Sequence, residues 1–323
     1  MSEIDLSGKV APLDRPNARF QILAISGGGY RGLYCADVLA RIEGSVRMRD
    51  RFDLIAGTSI GGIIACALAV GVRASDIRDA IAEHGESIFP RQKNIQRYVR
   101  APYSADAVAA AIEKAVGKLN VKTRLDQIQT PLLLPAVSET TAEPTLFRSQ
   151  GLAGSQASSA SLLDAALATA AAPTYFPSHK VGNETMLDGG LIANAPELIA
   201  MTEAMRWRKV EFDNIHILSI GTAGKNLAGP PGEAKGGGAL KMGKRLFEIT
   251  LTAQERLSVS QCSTLLGKRY LRLDAQPSAK QQEVLALDNA SDEATNTLSL
   301  LAEQTVVGMP SNVRDHLREF LEN

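Results

Sequence analysis

One serine in the chain has the neighbours expected of a catalytic nucleophile. The segment Gly57-Thr58-Ser59-Ile60-Gly61 follows the apolar run 52–56 and precedes the apolar stretch 60–70. The first run is typical of a buried strand and the second of a helix. A serine on such a tight turn has strained backbone angles, and side chains two residues away would collide. Its hydroxyl then lies at a helix N-terminus, where the dipole favours negative charge. We therefore predict that Ser59 is a nucleophile; the alternative is a helix cap in a glycine-rich turn.

A second glycine-rich turn, residues 26–32, follows the apolar strand predicted over 20–25 and opens another helix. Its glycine spacing also matches a dinucleotide-binding fingerprint. That function needs an acid at the end of the second strand, whereas Asp53 stands at its start. Successive backbone N–H groups without side chains instead suit an oxyanion hole.

Both glycine turns follow predicted parallel strands, so they lie at the same edge of the sheet and face each other. We assign Gly27, Gly28 and Gly29 to the oxyanion hole. Arg31 adds a fixed positive charge beside these amides, and a solvated arginine at a helix start is the alternative for it.

A nucleophilic serine needs a general base. The four histidines are His84, His179, His216 and His316, and none has glycine-loop surroundings suited to that role. Asp188 does, because Asp188-Gly189-Gly190 after a predicted hairpin places a carboxylate on a turn with close backbone approach. A poorly solvated carboxylate has a raised pKa and acts as a base directly.

Strands that alternate with helices predict an α/β fold with a mainly parallel sheet. The 323 residues include 35 basic and 35 acidic side chains, so no global field directs the chain to a nucleic-acid polymer. Three cysteines without paired spacing argue against a disulfide framework and a zinc ribbon.

Residues 54–72 carry no charge, but their internal glycine turn indicates a strand and a helix in series rather than a membrane span. The polar N-terminus shows no secretion signal, which predicts a cytoplasmic protein.

The motif blocks resemble those of the patatin-like phospholipases. Segments 27–32, 57–61 and 188–190 are similar to three signature blocks of that family, and Ala170-Ala171-Ala172-Pro173-Thr174-Tyr175-Phe176-Pro177 resembles the block before its catalytic aspartate. The resemblance covers residues 20 to 220. It implies a single three-layer α/β domain over 19–323, after an N-terminal arm over 1–18.

The resemblance also implies a function. Members of the family hydrolyse lipid acyl esters with a Ser–Asp dyad and without a metal or other cofactor, which makes Ser59 the nucleophile and Asp188 the base. Acyl transfer to an acceptor other than water uses the same groups and stays open. Some bacterial members act in antiviral signalling after a cyclic nucleotide activates them. We therefore expect peripheral contact with a phospholipid membrane, a cyclic nucleotide activator and self-association.

Residues 221–238 form a glycine-rich loop before a helix predicted over 240–265. Long loops without secondary structure are often lids. One interpretation is that the loop and the helix start form a mobile cover over Ser59. The other is that the helix packs its apolar face into the core or a dimer interface. A basic stretch, 91–100, is interpreted as a solvated loop, with phosphate binding as the alternative.

Overall fold

The centre of the computed structural model, which describes residues 19–90, 103–117, 120–224 and 239–322, is an eight-stranded sheet. Seven strands have the order β5-β6-β3-β2-β1-β7-β8, and β4 pairs with β3. The strands are β1 (Phe20–Ile25), β2 (Leu54–Gly57), β3 (Leu132–Ser138), β4 (Pro144–Arg148), β5 (His179–Val181), β6 (Glu184–Asp188), β7 (Ile215–Ile220) and β8 (Tyr270–Leu273).

The middle of the sheet is parallel. Strand β1 lies between β2 and β7, with Ile25 opposite both Gly57 and Ile220, and β3 and β8 extend the parallel part on either side. Strands β4, β5 and β6 pair in antiparallel fashion. The prediction of a mainly parallel sheet is therefore confirmed.

Thirteen helices are described within those four ranges. They are α1 (Gly32–Glu43), α2 (Met48–Arg51), α3 (Ile60–Ala69), α4 (Ala74–Ile88), α5 (Ala105–Val116), α6 (Gln150–Ala153), α7 (Leu162–Thr169), α8 (Gly190–Ala193), α9 (Glu197–Arg208), α10 (Ala239–Leu266), α11 (Ala279–Gln282), α12 (Asp292–Val307) and α13 (Ser311–Leu321).

Helices cover both faces of the sheet. Successive side chains of a strand point to opposite faces, so Leu23 and Ile25 pack with α1, α3, α7 and α12, whereas Ile22 and Ala24 pack with α9 and α10. All six residues of β1 are buried, as expected for a parallel strand with two covered faces. The result is the three-layer α/β arrangement.

Several predicted boundaries need correction. The strand predicted over 52–56 occupies Leu54–Gly57. The small-residue segment 158–172 also predicts a helix, and the observed helix occupies Leu162–Thr169. The sequence predicts a helix over 76–87 capped by Ser75, but Ser75 is not the cap of α4. The carboxylate of Glu43, distant in sequence, accepts the N–H of Ala74 at 3.0 Å, and the helix starts two residues earlier than predicted. The sequence also predicts that Ser104 caps a helix over 105–116, and Ser104 does cap α5 by accepting the N–H of Asp106.

Three predictions fall outside the described residues: the arm over 1–18, the basic stretch 91–100 and most of the glycine loop 221–238. In the part of the chain that is described, no helix has the length and apolar character needed to cross a bilayer.

Candidate active site

The turn at Ser59 has the strained geometry that the glycine spacing predicts. Strand β2 ends at Gly57 and α3 begins at Ile60, and Ser59 between them has φ 56° and ψ −127°. A side chain at Gly57 would overlap the carbonyl of Gly61, and one at Gly61 would overlap the carbonyl oxygen of Ile25. The two glycines are therefore required by the close approach of backbone to backbone.

Thr169, at the end of α7, fixes the backbone of this turn. Its Oγ1 accepts the N–H of Ser59 at 3.2 Å and donates to the carbonyl of Pro135 in β3 at 2.6 Å. The Thr169 side chain is fully buried; its bond to Pro135 is buried, and its bond to Ser59 is partly buried. A positive φ at a residue other than glycine is costly, and this bond helps to hold it.

Asp188 is the last residue of β6, where it pairs with Ala136 of β3. Its Oδ1 accepts the N–H of Gly190 at 2.6 Å, and the Ser59 hydroxyl lies close enough to influence the pKa of its carboxyl group. Only 1% of Asp188 is exposed. Burial raises the pKa of Asp188 to about 7, although the N–H of Gly190 and the nearby Ser59 hydroxyl act in the opposite direction. A carboxyl group with this pKa accepts and returns a proton near neutral pH.

The glycine-rich turn offers two backbone donors to the site. The N–H of Gly27 is used by the carbonyl of Asn194 at 2.9 Å, and that of Tyr30 by the carbonyl of Leu287 at 2.8 Å. The N–H groups of Gly28 and Gly29 donate to no described residue, and both glycines line the same cleft as Ser59 and Asp188. The assignment of Gly27 as a donor is therefore corrected, because its N–H already has a partner.

Arg31 lies behind the turn rather than beside the two free amides. Its Nε and its backbone N–H both donate to the carbonyl of Gly28, at 3.3 and 3.2 Å. The carbonyl of Gly28 and the N–H of Gly29 belong to the same peptide group, and the N–H and C=O of a trans peptide point in opposite directions. The two hydrogen bonds from Arg31 to the carbonyl therefore orient the N–H of Gly29 away from Arg31. The guanidinium itself faces a second cavity. Its pKa is lowered by burial, against the opposing effect of nearby Glu255 and Glu248.

Apolar side chains form most of the cleft that contains Ser59. Helices α3, α4 and α5 contribute its deep wall, and α10 contributes Phe247 and Leu251. These two residues belong to a buried cluster with Tyr103, Tyr175 and Leu287. The interpretation that the helix predicted over 240–265 packs its apolar face into the core is thus confirmed for the face with Phe247 and Leu251. The same face lines the cleft. The main aliphatic residues of the deep wall are Ile63, Ile77, Ile81, Val108 and Ile112.

The four histidines do not contribute to this cleft within the described part of the chain. His179 Nε2 lies 3.1 Å from the carboxylate of Asp164, and His216 in β7 has its pKa lowered by burial to about 4. Asp53, the acid of the dinucleotide alternative, accepts the N–H of Gln21 at the opposite ends of β1 and β2 from the glycine turn. No group of three His, Cys, Asp or Glu among the described residues could hold a metal ion.

Asn194 and Thr169 were not singled out from the sequence. Asn194 is buried after α8, and its Nδ2 donates to the carbonyl of Gly27 at 3.3 Å and to Glu255 of α10 at 2.9 Å. Both residues act through tertiary contacts with distant segments, for which no local pattern exists. Their position in the chain is the available signal: Thr169 immediately precedes the Ala170–Pro177 block, and Asn194 follows the Asp188-Gly189-Gly190 block.

Comparisons with known proteins place these features in a family. The model of the patatin-like phospholipases matches residues 23–201. A cGAMP-activated phospholipase of Escherichia coli strain TW11681 is 33% identical, over 91% of this chain and 90% of its own length. One of Pseudomonas aeruginosa (strain BWHPSA011 / Pa011) is 33% identical, over 86% and 85%. One of Vibrio cholerae serotype O1 is 31% identical, over 88% and 89%. The chain therefore belongs to the patatin-like phospholipase family and is a lipid-hydrolysing esterase.

Proposed function

We propose that the protein hydrolyses the acyl esters of phospholipids through a dyad of Ser59 and Asp188, under the control of a cyclic nucleotide. The observation that carries the dyad is that Ser59 and Asp188 line the same cleft, where burial raises the pKa of Asp188 to about 7 and the nearby Ser59 hydroxyl acts to lower it. A nucleophile with a base beside it is the minimum that covalent acyl transfer needs.

In the first half-reaction the Asp188 carboxylate accepts the hydroxyl proton as Ser59 Oγ bonds to the ester carbonyl carbon. The carbonyl oxygen becomes negative, and the N–H groups of Gly28 and Gly29 donate to it. Such donors act most strongly in a site shielded from water. Asp188 then gives its proton to the departing alcohol oxygen, and an acyl-Ser59 ester remains.

The second half-reaction repeats these roles with water. Asp188 takes a proton from the water molecule as its oxygen bonds to the acyl carbon, and the same amides stabilise the second oxyanion. The collapse of this intermediate breaks the bond to Ser59 Oγ, which regains its proton from Asp188. The free fatty acid leaves, and both residues return to their starting states.

The apolar cleft supports a lipid as the substrate. Its walls present aliphatic side chains such as Ile63, Ile81 and Ile112 on one side and the aromatic ring of Phe176 on another. The burial of a hydrocarbon chain against such a surface contributes about 25 cal/mol per Å². We therefore place the acyl chain in this cleft, with its ester group at Ser59.

Peripheral contact with a membrane is part of the proposal. Helix α10 exposes Leu246, Ile249 and Leu257 on one side, while its Phe247 and Leu251 line the cleft. Exposed apolar side chains on one helix face are suited to contact with lipid. The helix would thus bring the mouth of the cleft to the bilayer surface.

The activator is proposed from the relatives. Three phospholipases that match most of this chain are cGAMP-activated, so we propose activation by a cyclic dinucleotide, a role in antiviral defence, and self-association as part of activation. Size-exclusion chromatography with light scattering, with and without cGAMP, tests the last point: an unchanged mass would contradict it.

The proposed activity is tested with purified protein and a panel of phospholipid vesicles, with and without cGAMP. Mass spectrometry of the products separates a released fatty acid from an acyl group transferred to another acceptor. We expect free fatty acid and lysophospholipid, formed faster with cGAMP. Intact lipids under all conditions would contradict the proposal.

A further inference from the structure

A second cavity, of about 730 Å³, lies on the other side of the glycine-rich turn. It is bounded by α10, by the end of β8 and by the segment 274–287. Its volume falls within the range of about 300–1,000 Å³ that is usual for small-molecule sites. Polar and apolar groups both contribute to its walls, among them Arg31, Thr252, Arg256, Gln276, Pro277 and Leu285.

Three guanidinium groups line this cavity, together with the carboxylates of Glu248, Glu255 and Asp274. Arg272 at its base is paired with Glu197, Glu255 and Asp274. Arg31 and Arg256 form no ion pair with any residue that the structure describes, although both line the cavity. Arg31 is partly buried and lies near carboxylates of the cavity, whereas Arg256 is exposed. Arginine is especially suited to bind phosphate oxygens in pairs.

The cavity shares a wall with the Ser59 cleft. Asn194, Leu251 and Leu287 line both spaces. The carbonyl of Leu287 accepts the N–H of Tyr30, and Arg31 holds the carbonyl of Gly28. A ligand that touches Arg31 and Leu287 therefore acts on both ends of the turn that carries the two free amides.

We propose that this cavity is the binding site of the nucleotide activator, in which Arg31 and Arg256 bind a phosphodiester group. The inference rests on the cyclic nucleotide activation proposed above and adds its location and its route to the active site. An anion on Arg31 fixes the guanidinium and, through Nε, the Gly28–Gly29 peptide. The ligand thus orders the Gly29 N–H group, which stabilises the oxyanion of the transition state.

A phospholipid head group carries the same phosphodiester chemistry. The nucleotide fits the site better, because the shared wall separates the cavity from the cleft where the acyl ester reacts. The amide side chain of Gln276 and the apolar surfaces of Pro277 and Leu285 also suit a base, which has polar edges and flat faces. Both ligand sources are compared directly in the test.

The test is isothermal titration calorimetry on the full chain with cGAMP, glycerophosphoglycerol and inorganic phosphate as separate probes. Arg256→Ala and Gln276→Ala change exposed residues of the cavity, and neither residue belongs to the proposed catalytic site. Arg318→Ala is the matched control, an exposed arginine on α13 outside both cavities. Hydrolysis of a short soluble ester without nucleotide is measured for every variant.

We expect cGAMP to bind the wild type and Arg318→Ala alike, and Arg256→Ala at least about tenfold more weakly, as for a lost charge-assisted hydrogen bond. Gln276→Ala should bind several-fold more weakly, and all basal rates should be equal. Equal binding by Arg256→Ala and the wild type would overturn the inference. So would an absence of cGAMP binding, or tighter binding of glycerophosphoglycerol or phosphate. If the wild type does not hydrolyse the soluble ester, the proposed dyad is contradicted instead. The binding titration does not depend on the dyad.

Discussion

The backbone N–H of Ser59 donates to Oγ1 of Thr169 at 3.2 Å. The carbonyl of the same threonine accepts the N–H of Gly189, the residue after Asp188, also at 3.2 Å. One residue at the end of α7 therefore ties the backbone of the proposed nucleophile to that of the proposed base. The relative position of the two groups depends on this link as much as on the strands that carry them.

Thr169→Val should disturb this arrangement, because it leaves the N–H of Ser59 and the carbonyl of Pro135 without a partner. Each unsatisfied buried group costs about 1–3 kcal/mol, so the free energy of unfolding should fall by at least that amount. Because Thr169 acts by positioning, we expect kcat to fall more than KM rises. Thr169→Ser keeps the hydroxyl and should restore kcat; equal loss in both variants would contradict the role of the hydrogen bond.

The pKa of Asp188 predicts how activity depends on pH. The base must be ionised, and burial raises its pKa to about 7. The value of kcat/KM for a soluble ester should therefore rise with pH through about 7 and then reach a plateau. A profile that is flat from pH 5 to pH 8 would show that a group with another pKa is the base.

The same shift predicts an effect on stability. The folded pKa of Asp188 lies above the ordinary value of 3.8, so its contribution to stability is complete below about pH 4 and is lost as pH rises through 7. The loss amounts to about 4 kcal/mol at most. Asp188→Asn should therefore be inactive yet more stable than the wild type at pH 8, with a smaller difference at pH 5. Urea unfolding at both pH values measures this; a variant that is less stable at pH 8 would contradict it.

Much of the site was predictable because it depends on local geometry. The steric need for Gly57 and Gly61 arises within one turn, so a five-residue pattern was sufficient to place Ser59. The buried strand β1 and the turn at Gly28 and Gly29 follow from equally local signals. The mainly parallel sheet follows from the alternation of apolar strands and helices.

The remaining features depend on contacts between distant segments. Glu43 caps α4 from 31 positions away in sequence, and no local pattern indicates that Ser75 is bypassed. Gly27 is a glycine like Gly28 and Gly29, so the sequence does not distinguish the three. Only the hydrogen bond from its N–H to the carbonyl of the distant Asn194 shows that this donor is already used. The Arg31 side chain lines the cavity behind the turn, an orientation that the local sequence does not indicate.

Arg31 has two possible roles in catalysis: it can hold the Gly28–Gly29 peptide in position, or it can supply a positive charge. Arg31→Ala should lower kcat, with little change in KM, because it releases the Gly28–Gly29 peptide. Loss of one oxyanion donor costs about 10²–10³ in kcat, which sets the upper limit. Arg31→Lys keeps the charge but lacks the Nε–H group, so it should stay impaired. Full turnover by the lysine variant would mean that charge alone is required.

The start of α10 is attached to the rest of the cleft by Lys244. Its Nζ lies 3.3 Å from Oδ2 of Asp288 and 4.3 Å from the centre of the Tyr175 ring. If activation requires this helix to move from the cleft, Lys244→Ala should raise hydrolysis without nucleotide by up to about fivefold, since such a pair contributes at most about 1 kcal/mol. Lys268→Ala, an exposed lysine beyond the helix, is the control. An unchanged basal rate in Lys244→Ala would indicate a fixed helix.

The most direct test of the central claim is the release of fatty acid from phospholipid vesicles in the presence of cGAMP, measured by mass spectrometry for four proteins. These are the wild type, Ser59→Ala, Asp188→Asn and the double variant, each checked for folding by circular dichroism. Residues that act as a unit are strongly non-additive, so both single variants should lose nearly all activity and the double variant should lose no more. Release at the wild-type rate by either folded single variant would contradict the Ser59–Asp188 dyad.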